Sequence, residues 1–155
     1  MIYCFDTSAF IAAWVESYPI DVTPRLWSEL LPGLIAAGRL VTPKDVLLEL
    51  EKKADTGLHE WVEQSGSVVE LDTPDLMESA RIVNTYRRLI EHKPKRSGAD
   101  PIVIAVASAR KAAVVTKEGL SGTLAKPKIP DVCKEEKIPC LKLLDVFRKE
   151  RWRFE

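Results

Sequence analysis

The chain has few of the residues that build thiolate metal centres or activated nucleophiles. Its 155 residues include two histidines and three cysteines. The cysteines form no paired framework, and neither histidine stands near one at a zinc-ligand spacing. No serine or cysteine is accompanied by a histidine placed to activate it, which argues against covalent catalysis. We expect free thiols in a reducing cytoplasm at Cys4, Cys133 and Cys140.

Net charge and long apolar runs are absent as well. The chain has 23 basic and 23 acidic residues, so no global field draws it to nucleic acid or to an anionic membrane. No apolar run approaches the ~18 residues of a membrane span, and no basic and apolar leader with a cleavage site is apparent. We expect a cytoplasmic protein that makes no membrane contact. The length and the 46% hydrophobic content suit a single domain over residues 1–155.

Short apolar runs alternate with segments of helical periodicity. Strands are predicted at 2–5, 68–71, 113–116 and 138–141, and the apolar pair Leu40–Val41 leads into the third predicted helix. Helices are predicted at 7–15, 24–35, 43–54, 58–62, 74–90, 102–109, 131–136 and 143–152. Thr42 and Thr73 each precede a proline and are predicted helix caps. This alternation is typical of an α/β sandwich with a mainly parallel sheet, in which sites form beyond the carboxyl ends of the strands.

Four acidic residues accompany these elements in a comparable way. Asp6 follows the first strand, and Glu49 lies beside the apolar stripe of the third helix. Asp100 precedes a proline before a buried helix, and Glu118 follows the strand at 113–116. Four carboxylates gathered at one sheet edge repel one another strongly unless cations bridge them. The sequence therefore predicts a magnesium or manganese site.

Each acid has a simpler explanation when it is taken alone. Asp6 and Asp100 are equally suitable as helix caps. Helical periodicity does not choose between Glu49 and Glu51, which flank the same apolar stripe. Glu118 alone is typical of a solvated loop. The agreement among the four positions, rather than any one of them, favours a shared site.

These residues carry a resemblance to a known family. The opening Ile-Tyr-Cys-Phe-Asp-Thr-Ser, the Val46-x-x-Glu49-Leu50 step, Asp100 before a buried helix and Val115-Thr116-x-Glu118 resemble the PIN domain, in order and spacing over nearly the whole chain. PIN domains are small metal-dependent ribonucleases. The resemblance implies a three-layer α/β/α sandwich with a mainly parallel central sheet, and it favours Glu49 over Glu51. It implies a catalytic set that holds Mg²⁺ or Mn²⁺, formed by Asp6, Glu49, Asp100 and Glu118.

Two features depart from the family pattern. Glu118 stands where the family more often has aspartate. The long loop after Gly119 and the later Asp131 resemble a divergent branch of PIN-like proteins, so Asp131 is a second candidate for the fourth metal ligand. The alternative for Asp131 is a cap of the helix that follows it.

A polyanionic substrate needs positive charge beside an acidic site. Basic residues near Asp100 and Glu118 in sequence are candidates for this rim, namely Lys93, Lys95, Arg96, Lys117, Lys126 and Lys128. Ordinary solubilising charge explains each of them equally well. Ser8 and Thr116 are further candidates for substrate contact. The basic run from Arg148 to Arg153 is expected to be a solvated helix end that complements the helix dipole.

The resemblance implies an endoribonuclease that hydrolyses RNA, and the small stand-alone chain favours the toxin of a toxin–antitoxin pair. An antitoxin protein and a homodimer through helical surfaces are the expected protein partners. A PIN-like module that binds RNA or protein without cutting is the main alternative. A haloacid-dehalogenase-type phosphatase needs a second aspartate where this chain has Ser8, and a phospho-accepting receiver domain needs an acidic pair that Asp6 does not form.

Overall fold

A five-stranded parallel sheet organises the chain. The computed structural model describes residues 1–91 and 98–154. The strands are β1 Tyr3–Phe5, β2 Leu40–Pro43, β3 Val68–Val69, β4 Ala113–Val115 and β5 Cys140–Leu141. They pair in the order β3-β2-β1-β4-β5, with every neighbouring pair parallel. The carboxyl ends of the central strands therefore open on one edge, with β1 between β2 and β4.

Helices cover both faces of this sheet and give the predicted three-layer α/β/α sandwich. They are α1 Thr7–Ala12, α2 Leu31–Ala36, α3 Lys44–Lys53, α4 Thr56–Gln64, α5 Thr73–Thr85, α6 Arg88–Glu91, α7 Ala99–Arg110, α8 Ile129–Glu136 and α9 Leu143–Glu150. Two π-helical segments, π1 Ala13–Ser17 and π2 Leu26–Leu30, continue α1 and precede α2. Within the described ranges, no helix has the length and apolarity that crossing a bilayer requires.

The two faces of β1 pack against different layers because successive side chains of a strand point in opposite directions. The Tyr3 hydroxyl donates to the Glu150 carboxylate of α9 at 2.6 Å. Cys4 is completely buried on the other face, where α7 packs against β1, β2 and β4. The central strand is thus covered on both sides, as its apolar sequence predicts.

Helix α7 is the buried helix of the second layer. Its side chains from Val103 to Ala107 are almost completely inaccessible, and α5 packs along it from outside. This confirms the prediction from its sequence, which offers no polar face. Burial of α7 fixes its first turn, which carries Asp100, against the sheet edge.

The prediction that Thr42 caps the third helix is wrong. Thr42 belongs to β2, where its backbone pairs with Val68, and its hydroxyl lies 2.9 Å from Ser67 Oγ. Helix α3 begins at Lys44, and Pro43 holds the preceding extended position. A threonine–proline pair suits either a strand end or a helix start, and the pairing with β3 decides between them.

The start and end of the fifth helix also differ from the prediction. Asp72, rather than Thr73, is the cap: its carboxylate accepts from the Asp75 backbone N–H at 3.1 Å. The Asp75 carboxylate accepts in return from the Asp72 N–H at 3.0 Å. The chain leaves the helix after Thr85 and forms the separate α6, so the predicted continuous helix to residue 90 is interrupted.

Candidate metal centre

Three buried carboxylates meet at the carboxyl edge of the sheet. Asp6 directly follows β1, Glu49 lies in α3, and Asp100 lies in the first turn of α7. One carboxylate oxygen from each residue lies within 4.8 Å of the other two. The exposed fractions of the three residues are 2%, 2% and 6%. The structure thus brings together three of the four predicted acids from three separate elements, and we call them the acidic triad.

The Asp6 carboxylate does not cap the helix that follows it. Asp6 has the extended conformation of a residue that precedes a helix, but among the described contacts its carboxylate accepts no backbone N–H of the first turn of α1. It accepts instead from Ser8 Oγ at 2.6 Å and from Thr116 Oγ1 at 3.0 Å. Two neutral hydroxyls therefore orient this carboxylate, and the capping explanation for Asp6 does not hold.

The capping explanation for Asp100 does not hold either. Asp100 is the second residue of α7, and the capping position of that helix is Gly98. The positive end of the α7 dipole lies at this first turn and favours an ionised carboxylate. Asp100 is thus fixed by the backbone of a buried helix.

Ser8 and Thr116 also connect β1 to the chain beyond β4. Their hydroxyl oxygens lie 3.1 Å apart. Ser8 Oγ accepts from the Lys117 N–H, and Thr116 Oγ1 accepts from the Glu118 N–H, each at 3.1 Å. Both residues contact Asp6 directly, so their observed role is to position it, and their contact with substrate stays a prediction.

Glu49 is oriented by two residues that the sequence analysis missed. Thr7 Oγ1 donates to Glu49 Oε2 at 2.5 Å, and Lys53 Nζ lies 3.3 Å from Glu49 Oε1. The i, i+4 spacing of Glu49 and Lys53 is a signal that was available in the sequence. Glu51 is exposed. Of the two glutamates, Glu49 is the one that lies in the acidic triad, and its role as a metal ligand stays a prediction.

The surroundings of Asp6 disfavour its negative charge. Burial raises the pKa of the Asp6 carboxyl, the hydrogen bond from Ser8 opposes this rise, and the charge of Glu118 adds to it. The Thr116 hydroxyl lowers the same pKa and the charge of Glu49 raises it, and the net pKa lies above the usual value. A bound cation or a proton relieves this repulsion.

Glu118 lies at the rim of the site. It is half-buried, and its Oε2 accepts from the Ile129 N–H at 3.2 Å. Its charge raises the pKa of Asp6, so the two carboxylates interact. Among the described residues its oxygens are not part of the triad that converges within 4.8 Å. A direct role of Glu118 as the fourth ligand stays a prediction.

Asp131 anchors a loop, and its role as a candidate ligand stays a prediction. Its carboxylate accepts from the Ser121 hydroxyl at 2.7 Å, the Gly122 N–H at 3.0 Å and the Lys128 N–H at 2.8 Å. Burial raises its pKa, but the hydrogen bonds from Lys128, Ser121 and Gly122 outweigh burial and hold the pKa below the usual value. These contacts fix the irregular 119–128 loop. Asp131 is the third residue of α8, so it does not occupy the capping position that the sequence analysis gave as the alternative.

The predicted basic rim is only partly described by the structure. Lys117 is exposed and pairs with Glu16 at 2.5 Å. A lysine that the sequence analysis missed, Lys142, donates to the backbone carbonyls of Lys117 and Glu118. Lys126 and Lys128 are exposed on the 119–128 loop. Three of the candidates lie outside the described residues, and they are Lys93, Lys95 and Arg96.

The donor set fits a hard divalent cation. Carboxylate oxygens are the protein ligands that Mg²⁺ and Mn²⁺ prefer. Oxygens that coordinate one Mg²⁺ ion at roughly 2.0–2.1 Å lie at most about 4.2 Å apart. The observed separations of up to 4.8 Å therefore need only small side-chain movements. A cavity of about 470 Å³ is lined by Thr116 and Glu118, but by no residue of the triad.

The comparison with protein families covers almost the whole chain. Residues 3–154 match the family described as a domain of unknown function, DUF4411. The chain belongs to this family. A search of curated proteins finds no match. The DUF4411 match includes the three triad positions, and the family description states no activity, so the function has to be argued from the chemistry of the site.

Proposed function

We propose that this chain is a PIN-like, metal-dependent endoribonuclease that hydrolyses RNA phosphodiester bonds. The observation that carries the proposal is the convergence of the buried side chains of Asp6, Glu49 and Asp100 within 4.8 Å at the carboxyl edge of the sheet. A bound cation stabilises such a concentration of negative charge. The choice of RNA as the substrate rests on the resemblance to the PIN domain.

The proposed mechanism divides the work between the cation and the chain. A divalent cation held by the triad would neutralise charge on the scissile phosphate and activate water for in-line attack. Ser8 and Thr116 hold the Asp6 carboxylate in one orientation, and Thr7 holds Glu49. The triad is therefore pre-organised, which reduces the reorganisation needed when an ion and a phosphate arrive.

The charge of the rim suits a phosphate. Lys117 and Lys142 lie where the chain leaves β4 and β5, and Lys142 is held against the carbonyls that flank Glu118. Phosphate contacts of this kind position a strand without reading its bases. The proposal therefore includes no base preference.

The test is cleavage of RNA by the purified protein with Mg²⁺ or Mn²⁺ and then with chelator. We expect Glu49→Gln and Asp6→Asn to lower the cleavage rate by at least about 100-fold, because each removes a ligand of the metal. Glu51→Gln is the matched control: it makes the same chemical change two residues away on an exposed position of the same helix. It should cut at the rate of the wild-type protein.

Two outcomes contradict the proposal. Cleavage that persists in Asp6→Asn, or in excess chelator, shows that another nuclease or another site is responsible. Calorimetry that detects no Mn²⁺ binding, together with RNA binding and no cleavage, favours the alternative of a PIN-like module that binds without cutting.

The cellular role stays a prediction. The toxin assignment, the antitoxin partner and the homodimer follow from the family resemblance and the size of the chain. If the chain is a toxin, expression of the wild-type protein arrests growth and expression of Asp6→Asn does not. Growth arrest by both proteins would show that the toxicity does not depend on the acidic triad.

A further inference from the structure

A basic, aromatic cleft lies at the carboxyl end of α9. Its volume is about 400 Å³, and its walls include Arg148, Arg151 and Arg153 together with three aromatic rings. Within the described residues, no acidic side chain lines it. The acid at the same end of the helix, Glu150, is bound by Arg39 at 2.6 and 2.8 Å. The cleft therefore presents positive charge.

The aromatic rings of the cleft are held in place but not hidden. Phe147 is buried, and the centroid of its ring lies 5.5 Å from that of Trp152 and 5.1 Å from that of Phe154. Arg151 has a left-handed conformation, with φ of 57°, which ends α9 and turns the chain back so that these rings meet. Phe154 nevertheless stays 42% exposed. One aromatic surface is thus rigid and open to a ligand.

A second cavity lies between this cleft and the residues around the acidic site. Leu144 lines both the cleft and this second cavity, which has a volume of about 170 Å³ and lies between π1 and α9. That second cavity is also lined by Thr116 and Lys117, and the Thr116 hydroxyl donates to Asp6. We call the two neighbouring cavities the α9 groove. Helix α9, along which they lie, is about 12 Å long.

We infer that the α9 groove binds single-stranded RNA and leads it to the acidic triad. Arg148 and Arg151 contact phosphates, and a base stacks on the exposed face of Phe154. That the bound RNA reaches the acidic triad rests on the proposed nuclease function. That the groove binds RNA does not depend on cleavage.

The chemistry of the groove selects this ligand over an acidic peptide. A guanidinium group pairs with phosphate through two parallel hydrogen bonds, and an aromatic face stacks on any unpaired base. An acidic peptide matches the charge but makes no use of an open ring beside it. Double-stranded RNA is not expected, because its bases are already stacked and paired.

Binding is measured by fluorescence anisotropy with a labelled eight-nucleotide single-stranded RNA. The Asp6→Asn protein in chelator is used as the background, so that neither cleavage nor a metal contributes. In this background we expect Arg148→Gln/Arg151→Asn to weaken binding on the order of 10-fold, since two phosphate contacts are lost. The slope of log affinity against log salt should become shallower by about 1.4, because each contact on a single strand contributes roughly 0.7.

The matched control is Lys111→Asn/Lys137→Asn. Both lysines are exposed and end helices in the same left-handed conformation as Arg151, with φ of 55° and 57°. The control also removes two positive charges, and asparagine tolerates the left-handed conformation at both lysine positions. It should change the affinity by less than about 2-fold, because neither lysine lines the α9 groove. Equal weakening by the two double variants would overturn the inference, because the binding would then depend only on net charge.

The aromatic contribution has its own test. In the same background, Phe154→Leu keeps an apolar side chain but removes the stacking surface, and we expect about a 5-fold loss of affinity. Phe154→Tyr keeps the ring and should bind as the background protein does. Full affinity in Phe154→Leu overturns the stacking contact. Binding of a polyglutamate peptide more tightly than the RNA overturns the choice of ligand.

Failure of this inference is distinguishable from failure of the proposed function. Specific RNA binding by the groove, with no cleavage by the wild-type chain in Mn²⁺, supports the groove and contradicts the nuclease. If Arg148→Gln/Arg151→Asn without the Asp6 change cuts RNA with an unchanged KM, the groove is overturned and the nuclease stands. Thermal unfolding of each variant shows that it is folded.

Discussion

Two buried aspartates of this molecule lie in opposite electrostatic surroundings. Asp75, in α5, is completely buried and accepts from Arg110 of α7 at 2.7 and 3.2 Å. Burial raises the pKa of Asp75, but the hydrogen bonds from Arg110 and from the Asp72 backbone outweigh burial and hold the pKa below its usual value. Asp6 accepts from neutral hydroxyls, has acids around it, and has a raised pKa.

The difference separates a structural acid from a functional candidate. The Asp75–Arg110 pair joins two helices and is satisfied within the described chain. The surroundings of Asp6, in contrast, raise its pKa and favour a bound cation or proton. Perturbed carboxylates of the second kind are typical of functional sites, whereas the first kind stabilises the fold.

The largest expected effect on stability is at the structural acid. Asp75→Asn leaves the Arg110 charge without its partner inside the fold, and we expect a loss of about 3 kcal/mol in the free energy of unfolding. This value is at the low end of the losses expected for a broken buried ion pair, because the Arg110 side chain is 25% exposed. Urea unfolding measures the loss. Glu29→Gln, in the exposed pair with Arg25, is the control and should change stability by less than about 0.5 kcal/mol.

Metal binding should stabilise the fold through the triad alone. With Mn²⁺ at 100 times its dissociation constant, the free energy of unfolding is expected to rise by about 2.7 kcal/mol. Asp75→Asn should keep this increment, and Glu49→Gln should lose it. Unfolding curves with Mn²⁺ and with chelator measure both. An equal increment in Glu49→Gln would place the metal elsewhere.

In the absence of metal, removing a triad charge should stabilise the protein. Asp6→Asn keeps an oxygen that accepts from Ser8 but ends the repulsion with Glu49 and Glu118. We therefore expect the free energy of unfolding in chelator to be higher for Asp6→Asn than for the wild-type protein. Glu51→Gln is again the control. An Asp6→Asn protein that unfolds more easily than wild type in chelator would show that Asp6 is a structural acid.

The smallest expected effect is a pH dependence of the Asp75 pair. Because the pKa of Asp75 is lower in the folded than in the unfolded chain, its stabilisation is present above the unfolded pKa. It decreases as pH falls through that pKa toward the folded one. The stability difference between wild type and Asp75→Asn should therefore narrow between about pH 5 and pH 3, by less than about 1 kcal/mol. A difference that widens on acidification would contradict the lowered pKa.

Most of the fold was predictable because its strands are buried on both faces. Buried parallel strands are continuous apolar runs, which mark β1 and β4 clearly in the sequence. The strand positions in turn placed Asp6 and Glu118 at one edge. The cap of α5 was harder to predict, because Asp72 and Thr73 are adjacent and both residue types are favoured at the capping position.

The site was predictable only where an acid adjoins an element end. Asp6 and Asp100 meet that condition. Glu49 does not, because it and Glu51 flank one helical stripe, and only the packing of α3 shows which side reaches the edge. The role of Asp131 depends on how an irregular loop folds back over it, and no periodicity encodes such a path.

Asp131 serves two parts of the molecule at once. Its oxygens hold Ser121, Gly122 and Lys128 of the 119–128 loop, while its own helix, α8, packs against α7. Helix α7 carries Asp100 in its first turn. The loop beside Glu118 and the helix beneath the acids therefore share one point of attachment. The path of the loop beside Glu118 is thus fixed to a helix that belongs to the same layer as Asp100.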